Sequence, residues 1–133
     1  MWTSDIGTTV FSRIKSKGMA ELKKSYPNIY FTQSDRSSTT PKFPTVFYKD
    51  ISSPEQGQTL DGQSVNAVLY SVQIEVTDNG STFITAKTVM NKIVDYMKEM
   101  RFQIVGTPEF QNTSNVYRMV ARFRRMIGAN DVI

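Results

Sequence analysis

The chain has 133 residues, enough for one domain that buries roughly two thirds of the surface its unfolded form exposes. With 39% hydrophobic and 21% charged residues and no long like-charge block, the composition is that of an ordinary globular protein and excludes wholesale disorder. The formal charge of +4 allows proximity to a polyanion without demanding it, while the absence of histidine and cysteine removes the usual zinc and haem ligands and the Ser-His and Cys-His nucleophilic sites.

The longest apolar run, Ala67-Val68-Leu69-Tyr70, is far shorter than the ~20 residues of a membrane-spanning helix. The start, Met1-Trp2-Thr3-Ser4-Asp5, shows neither a basic leader nor an apolar stretch, so the protein is expected to stay where it is made.

Residues 4 to 25 read as a helix, because Ile6, Val10, Phe11, Ile14, Met19 and Leu22 recur at three- and four-residue steps. Ser4 suits the N-cap, Asp5 suits the first turn, and Pro27 enforces an end. Asn28 to Thr32 is a short β-type run, and the polar residues 33 to 43 form a loop of unusual length. Thr45 to Ile51 is a strand candidate, and a second long polar loop covers 52 to 64.

Val65 to Asp78 carries the clearest strand pattern. Val68, Tyr70, Val72, Ile74 and Val76 point one way, and Ser71, Gln73, Glu75 and Thr77 the other. A helix is expected over 82 to 101, with Phe83, Ala86, Met90, Ile93, Met97 and Met100 as its apolar stripe. Phe102 to Thr107 is a further strand candidate, and the polar EFQNTSN leads out of it.

The segment VYRMVARFRRMIGANDVI, 116 to 133, holds four of the seven arginines within eight residues and satisfies two periodicities. As a helix it stacks Arg118, Arg122 and Arg125, with Gly128 at a plausible stop. As a strand it puts Tyr117, Met119, Ala121 and Phe123 on one face and Arg118, Arg122 and Arg124 on the other. Because the short FQIVGT run needs a neighbour to pair with, topology favours the strand. The expected fold class is therefore α+β: a single domain over 1–133, with a mostly antiparallel four- to five-stranded sheet, two helices on one face, and the order α-β-β-β-α-β-β.

FPTVFYKDI, the Gln-Thr-Leu-Asp-Gly segment before VQIEVTDN, the helix ending YMKEMRF, and the final arginine-rich stretch together resemble the small tail-terminator or tail-completion proteins of long-tailed bacteriophages. The resemblance runs from about Pro44 onward. It implies a small α/β domain whose last long segment is a strand, and a virion structural protein with no cofactor and no catalytic residues, assembled in the bacterial cytoplasm. By resemblance the subunits form a ring, usually of six. The ring ends growth of the tail tube and meets the head-side connector, and DNA passes through its opening.

On that reading Arg118, Arg122 and Arg124 are candidates to face the channel or a partner. Taken singly, each is better explained as a solvated strand residue pairing across to groups such as Glu75. Glu55, Gln58, Asp61 and Gly62 in the second loop are candidate contacts to a neighbouring subunit or the tube. Leu69 and Val120, apolar residues on the sheet face opposite the core, are candidates for a subunit interface. Two other classes stay open: a head-completion protein on the portal side, and a nucleic-acid-binding regulator that uses the arginine segment as a recognition helix.

Overall fold

Nine elements succeed one another among the described residues, which are 6–33, 43–52, 55–58, 65–80, 83–111 and 116–128 of a computed structural model. They are α1 (Ile6–Glu21), β1 (Tyr30–Thr32), β2 (Thr45–Ser52), β3 (Glu55–Gln58), β4 (Val65–Asp78), α2 (Ile84–Glu99), β5 (Gln103–Ile104), β6 (Glu109–Phe110) and β7 (Tyr117–Gly128). The fold is α+β. One sheet runs β1-β2-β4-β7-β5, with β3 also paired to β4 and β6 also paired to β7. Among the described strands, the β1–β2 pair is parallel and the other pairs are antiparallel.

The central ladder joins β4 to β7 without interruption from Ala67↔Gly128 to Asp78↔Tyr117. The arginine-rich segment is thus a strand, and the helical alternative fails. A helix would have left the whole second edge of β4 without backbone partners, and a buried unpaired peptide group costs about as much as a lost hydrogen bond.

The sheet carries two short strands more than expected, and both fall in segments read as polar loops. Strand β2 meets β4 only from Ser71 to Thr77, so the first residues of β4 lack a partner on that side. The chain folds back there, pairing Glu55 with Val68 and Gln58 with Val65. Similarly, β5 reaches only Phe123 and Arg124 of β7, and β6 supplies partners for Met119 and Val120. The expected strand over Phe102 to Thr107 shrinks to Gln103–Ile104.

A single core lies between the sheet and the two helices. From α1 it takes Ile6, Val10 and Ile14, and from α2 Ala86, Val89, Met90, Ile93, Tyr96 and Met97. The sheet contributes Val46 and Tyr48, then Tyr70, Val72, Ile74 and Val76, then Met119, Ala121, Phe123 and Ile127. Full burial of one such large apolar side chain contributes roughly 1.5–3 kcal/mol. Phe83 was expected in the apolar stripe of α2 but is 45% exposed. It precedes the first helical residue, and its ring meets Phe110 edge-on at 5.4 Å between centroids.

Helix α1 lies so close to β1 that a Cβ on Gly18 would overlap the ring of Phe31, itself only 4% exposed. The absent side chain is what allows the approach. The helices are tied together by the Lys17–Glu99 ion pair and by Tyr96 donating to Glu21 Oε2. The expected N-cap Ser4 and first-turn Asp5 lie outside the described residues.

At its far end α2 closes with two reversed hydrogen bonds, Arg101 N to Lys98 O at 2.9 Å and Phe102 N to Met97 O at 3.0 Å. This is the Schellman arrangement, which puts the residue after the cap in the left-handed region and usually makes it glycine. Here it is Arg101, with φ 66°. An L side chain in that conformation costs roughly 1 kcal/mol.

Candidate functional site

Side chains alternate across a strand, so the β4–β7 register fixes what stands on the face away from the helices. Ser71 lies beside Arg124, Gln73 beside Arg122, Glu75 beside Val120, and Thr77 beside Arg118. The polar residues join into a ladder. Arg122 Nε donates to Gln73 Oε1 at 3.0 Å, Gln73 Nε2 donates to Glu75 Oε1 at 2.8 Å, and Arg118 forms an ion pair with that same Glu75 oxygen. The amide of Gln73 therefore passes the interaction along the face, accepting from one arginine and donating to the carboxylate that holds another.

The three arginines predicted for this face are all brought onto it. Arg122 and Arg124 are exposed and Arg118 is half-buried. Arg124 is flanked on its other side by Gln103 of β5. Among the described residues no helix packs over them, and the guanidinium groups offer planar donor sets that fit phosphate or carboxylate acceptors.

The apolar candidates behave differently from each other. Val120 was expected as an exposed interface residue, but only 6% of it is accessible. By register it sits between Arg118 and Arg122 along its strand and between Glu75 and Glu109 across it, and these long side chains leave it little solvent. Leu69, half-buried, pairs with Met126, which is 50% exposed, so the apolar spot on this face is at that end of the ladder. Glu55 and Gln58 belong to β3 by their backbone, whereas Asp61 and Gly62 lie outside the described residues.

Sequence reasoning missed Arg125. In strand register it belongs with Met119, Ala121 and Phe123 on the helix side, and it is only 8% exposed. Its Nη1 donates to Met100 O at 3.0 Å, so a cation satisfies a terminal carbonyl at the negative end of α2. The signal was present: strand parity alone assigns residue 125 to the core face.

A second polar group crosses the core. The buried hydroxyls of Tyr48 and Tyr70 hydrogen-bond to each other, and Tyr70 donates to Asp50 Oδ1. Since the Tyr70 proton goes to the carboxylate, the Tyr48 hydroxyl is the donor between the two rings. Burial above all pushes both phenols well above the usual tyrosine range, and at Tyr70 the neighbouring Tyr48 and Asp50 add to the rise. Gly7 of α1 approaches this group closely, for a Cβ there would stand 3.0 Å from Asp50 Oδ2.

Among the described residues, no three acidic, histidine or cysteine side chains come together as a metal site, and no helix is long and apolar enough to cross a membrane. Compared with protein-family models and with curated proteins, the chain matches none.

Proposed function

We propose that the chain is a structural subunit of the tail-terminator kind, one that assembles with copies of itself, six on the family pattern, into a ring capping a phage tail tube. The ring ends tube elongation, meets the head-side connector, and lets DNA through its opening. The role is assembly and not catalysis.

The observation that carries this reading is the one-sided sheet. Both helices pack on a single face, and the other face presents Arg118 and Arg122 in a hydrogen-bonded ladder with Arg124 next along the strand. A surface of this kind binds through charge and donor groups held in place, and Arg118 and Arg122 are restrained by Glu75 and Gln73, so the face suits a sliding polyanion better than a tight clamp on it. The sheet-and-helix arrangement is also the one that the resemblance implies. A recognition helix in the same segment is no longer available to the regulator reading, because the arginines lie on β7.

Native mass spectrometry and negative-stain imaging of the purified protein, alone and with tail tubes, test the proposal. Closed rings on tube ends are expected, together with overlong or unjoined tails when the protein is missing. A protein that stays monomeric with tubes present, and whose loss leaves tails of normal length, would sink it. Capture by portal complexes and not by tubes would move the chain to the head-completion class.

A further inference from the structure

Where α1 crosses the edge of the sheet beside β1 lies a groove of about 310 Å³. Its floor is apolar, made by the buried Ile29 and Phe31 with the half-buried Met19, and Lys15, Lys23 and the exposed Tyr30 form its rim. Neither lysine has an ion-pair partner among the described residues, whose ion pairs are Lys17–Glu99 and Arg118–Glu75. No acidic side chain lines the groove, so its own charge is positive and is met by a negatively charged occupant.

A second feature of the groove is independent of charge. Strand β1 ends the sheet path, so one of its sides has no strand beside it among the described residues. Tyr30 N donates to Pro44 O at 3.0 Å, which turns the peptide groups of Tyr30 toward β2. Phe31, next along the strand, therefore aims its N–H and C=O away from the sheet, at the groove it lines. An edge of this kind accepts a further strand through main-chain hydrogen bonds.

The helix sets the pattern that such a strand must carry. Lys15, Met19 and Lys23 follow one another at four-residue steps, the first two on α1 and the third in the turn just beyond it. At helical rise that stretch spans about 12 Å, and about four residues of extended chain cover the same distance. We infer that the groove takes an extended segment of a partner protein, paired with Phe31 at the edge of β1, whose acidic side chains stand four residues apart against Lys15 and Lys23 with an apolar one between them over Met19. Alternation puts all three on one face of the added strand. A nucleic-acid strand fits the place less well, because the apolar floor and the outward carbonyl of Phe31 offer nothing to a phosphate. The site stands apart from the ring proposal, since it can hold whether or not the chain caps a tail tube.

The test is titration of the full-length protein with a blocked seven-residue peptide that has aspartate at its second and sixth positions, leucine at its fourth and β-branched residues elsewhere. Amide NMR shifts are expected at Met19 and Phe31, and the Phe31 amide should exchange more slowly with solvent once the peptide is bound. Replacing both aspartates by asparagine should weaken binding about tenfold, and so should the double variant Lys15→Gln, Lys23→Gln. Both lysines are exposed, so that variant should melt as the parent does. No shift with the peptide, or undiminished binding by the asparagine peptide and by the double variant, would overturn the inference. A single-stranded oligonucleotide that displaces the peptide from Met19 and Phe31 would replace it with a nucleic-acid site. Self-association that blocks the peptide and is lost in the double variant would replace it with a contact between copies of this chain.

Discussion

The two faces of the β4–β7 ladder share one backbone and one register, yet they are governed by different physics. On the inner face Val72 lies opposite Phe123, Ile74 opposite Ala121, and Val76 opposite Met119, all at most 6% exposed. Volume decides what fits there. On the outer face the same strands set Ser71, Gln73 and Thr77 against Arg124, Arg122 and Arg118, and hydrogen-bond geometry decides. The inner face therefore supplies stability, and the outer face supplies chemistry at little cost to it.

That contrast breaks most sharply at neighbouring positions. Phe123→Ala removes a ring that is 1% exposed and leaves a cavity, for an expected loss of about 3–5 kcal/mol. Arg124→Ala, one residue on and across the sheet, should change stability by less than about 0.5 kcal/mol. Urea midpoints of the two variants check the difference, and equal losses would erase the distinction between the faces.

Alkali should find the inner face before the outer one. The folded-state phenols of Tyr48, Tyr70 and Tyr96 are all raised, chiefly by burial, above the unfolded value of about 10. Their stabilising contribution is complete below that value and is lost as pH rises beyond it, since the unfolded chain then ionises more readily. Denaturation midpoints should hold steady from neutral pH to about 9 and fall above 10, and Tyr48→Phe should make the fall shallower.

The effect at the outer ladder is small as well. Arg118→Ala breaks the pair with Glu75 and should cost about 0.2–1 kcal/mol, less at high salt. The loss should lie toward the upper end, because Glu75 is itself only 9% exposed and is left with Gln73 as its remaining described partner.

What the sequence made legible follows the same division. Strand β4 was readable because its alternation holds from Tyr70 to Thr77 and a face of apolar residues cannot slip register unnoticed. The arginine segment was nearly tied between helix and strand, since Met119 and Phe123 satisfy either period, and the need of the FQIVGT run for a partner tipped it to strand. Strands β3 and β6 have no such pattern. They exist because longer neighbours left backbone groups unpaired, which is a property of other segments and not of Glu55–Gln58 or Glu109–Phe110. Arg125 had a place only in the helical reading, stacked with Arg118 and Arg122, although strand parity puts it on the core face. Its partner, the Met100 carbonyl, is known only once α2 is laid against the sheet. The candidate arginines stand on the face that strand alternation gives them, but the burial of Val120 depends on long side chains from three strands and has no local signature.

The uninterrupted pairing of β4 with β7 also sets a timetable. Its partners are separated along the chain by 39 residues at Asp78↔Tyr117 and by 61 at Ala67↔Gly128. Closing so wide a loop costs entropy before any ladder bond repays it, so acquisition of the native sheet should be slow compared with formation of α2 inside that loop. During synthesis β4 leaves the ribosome well before β7. For that interval Val72, Ile74 and Val76 have no strand opposite them on the β7 side, and the newborn chain depends on α2 to shield them from its neighbours.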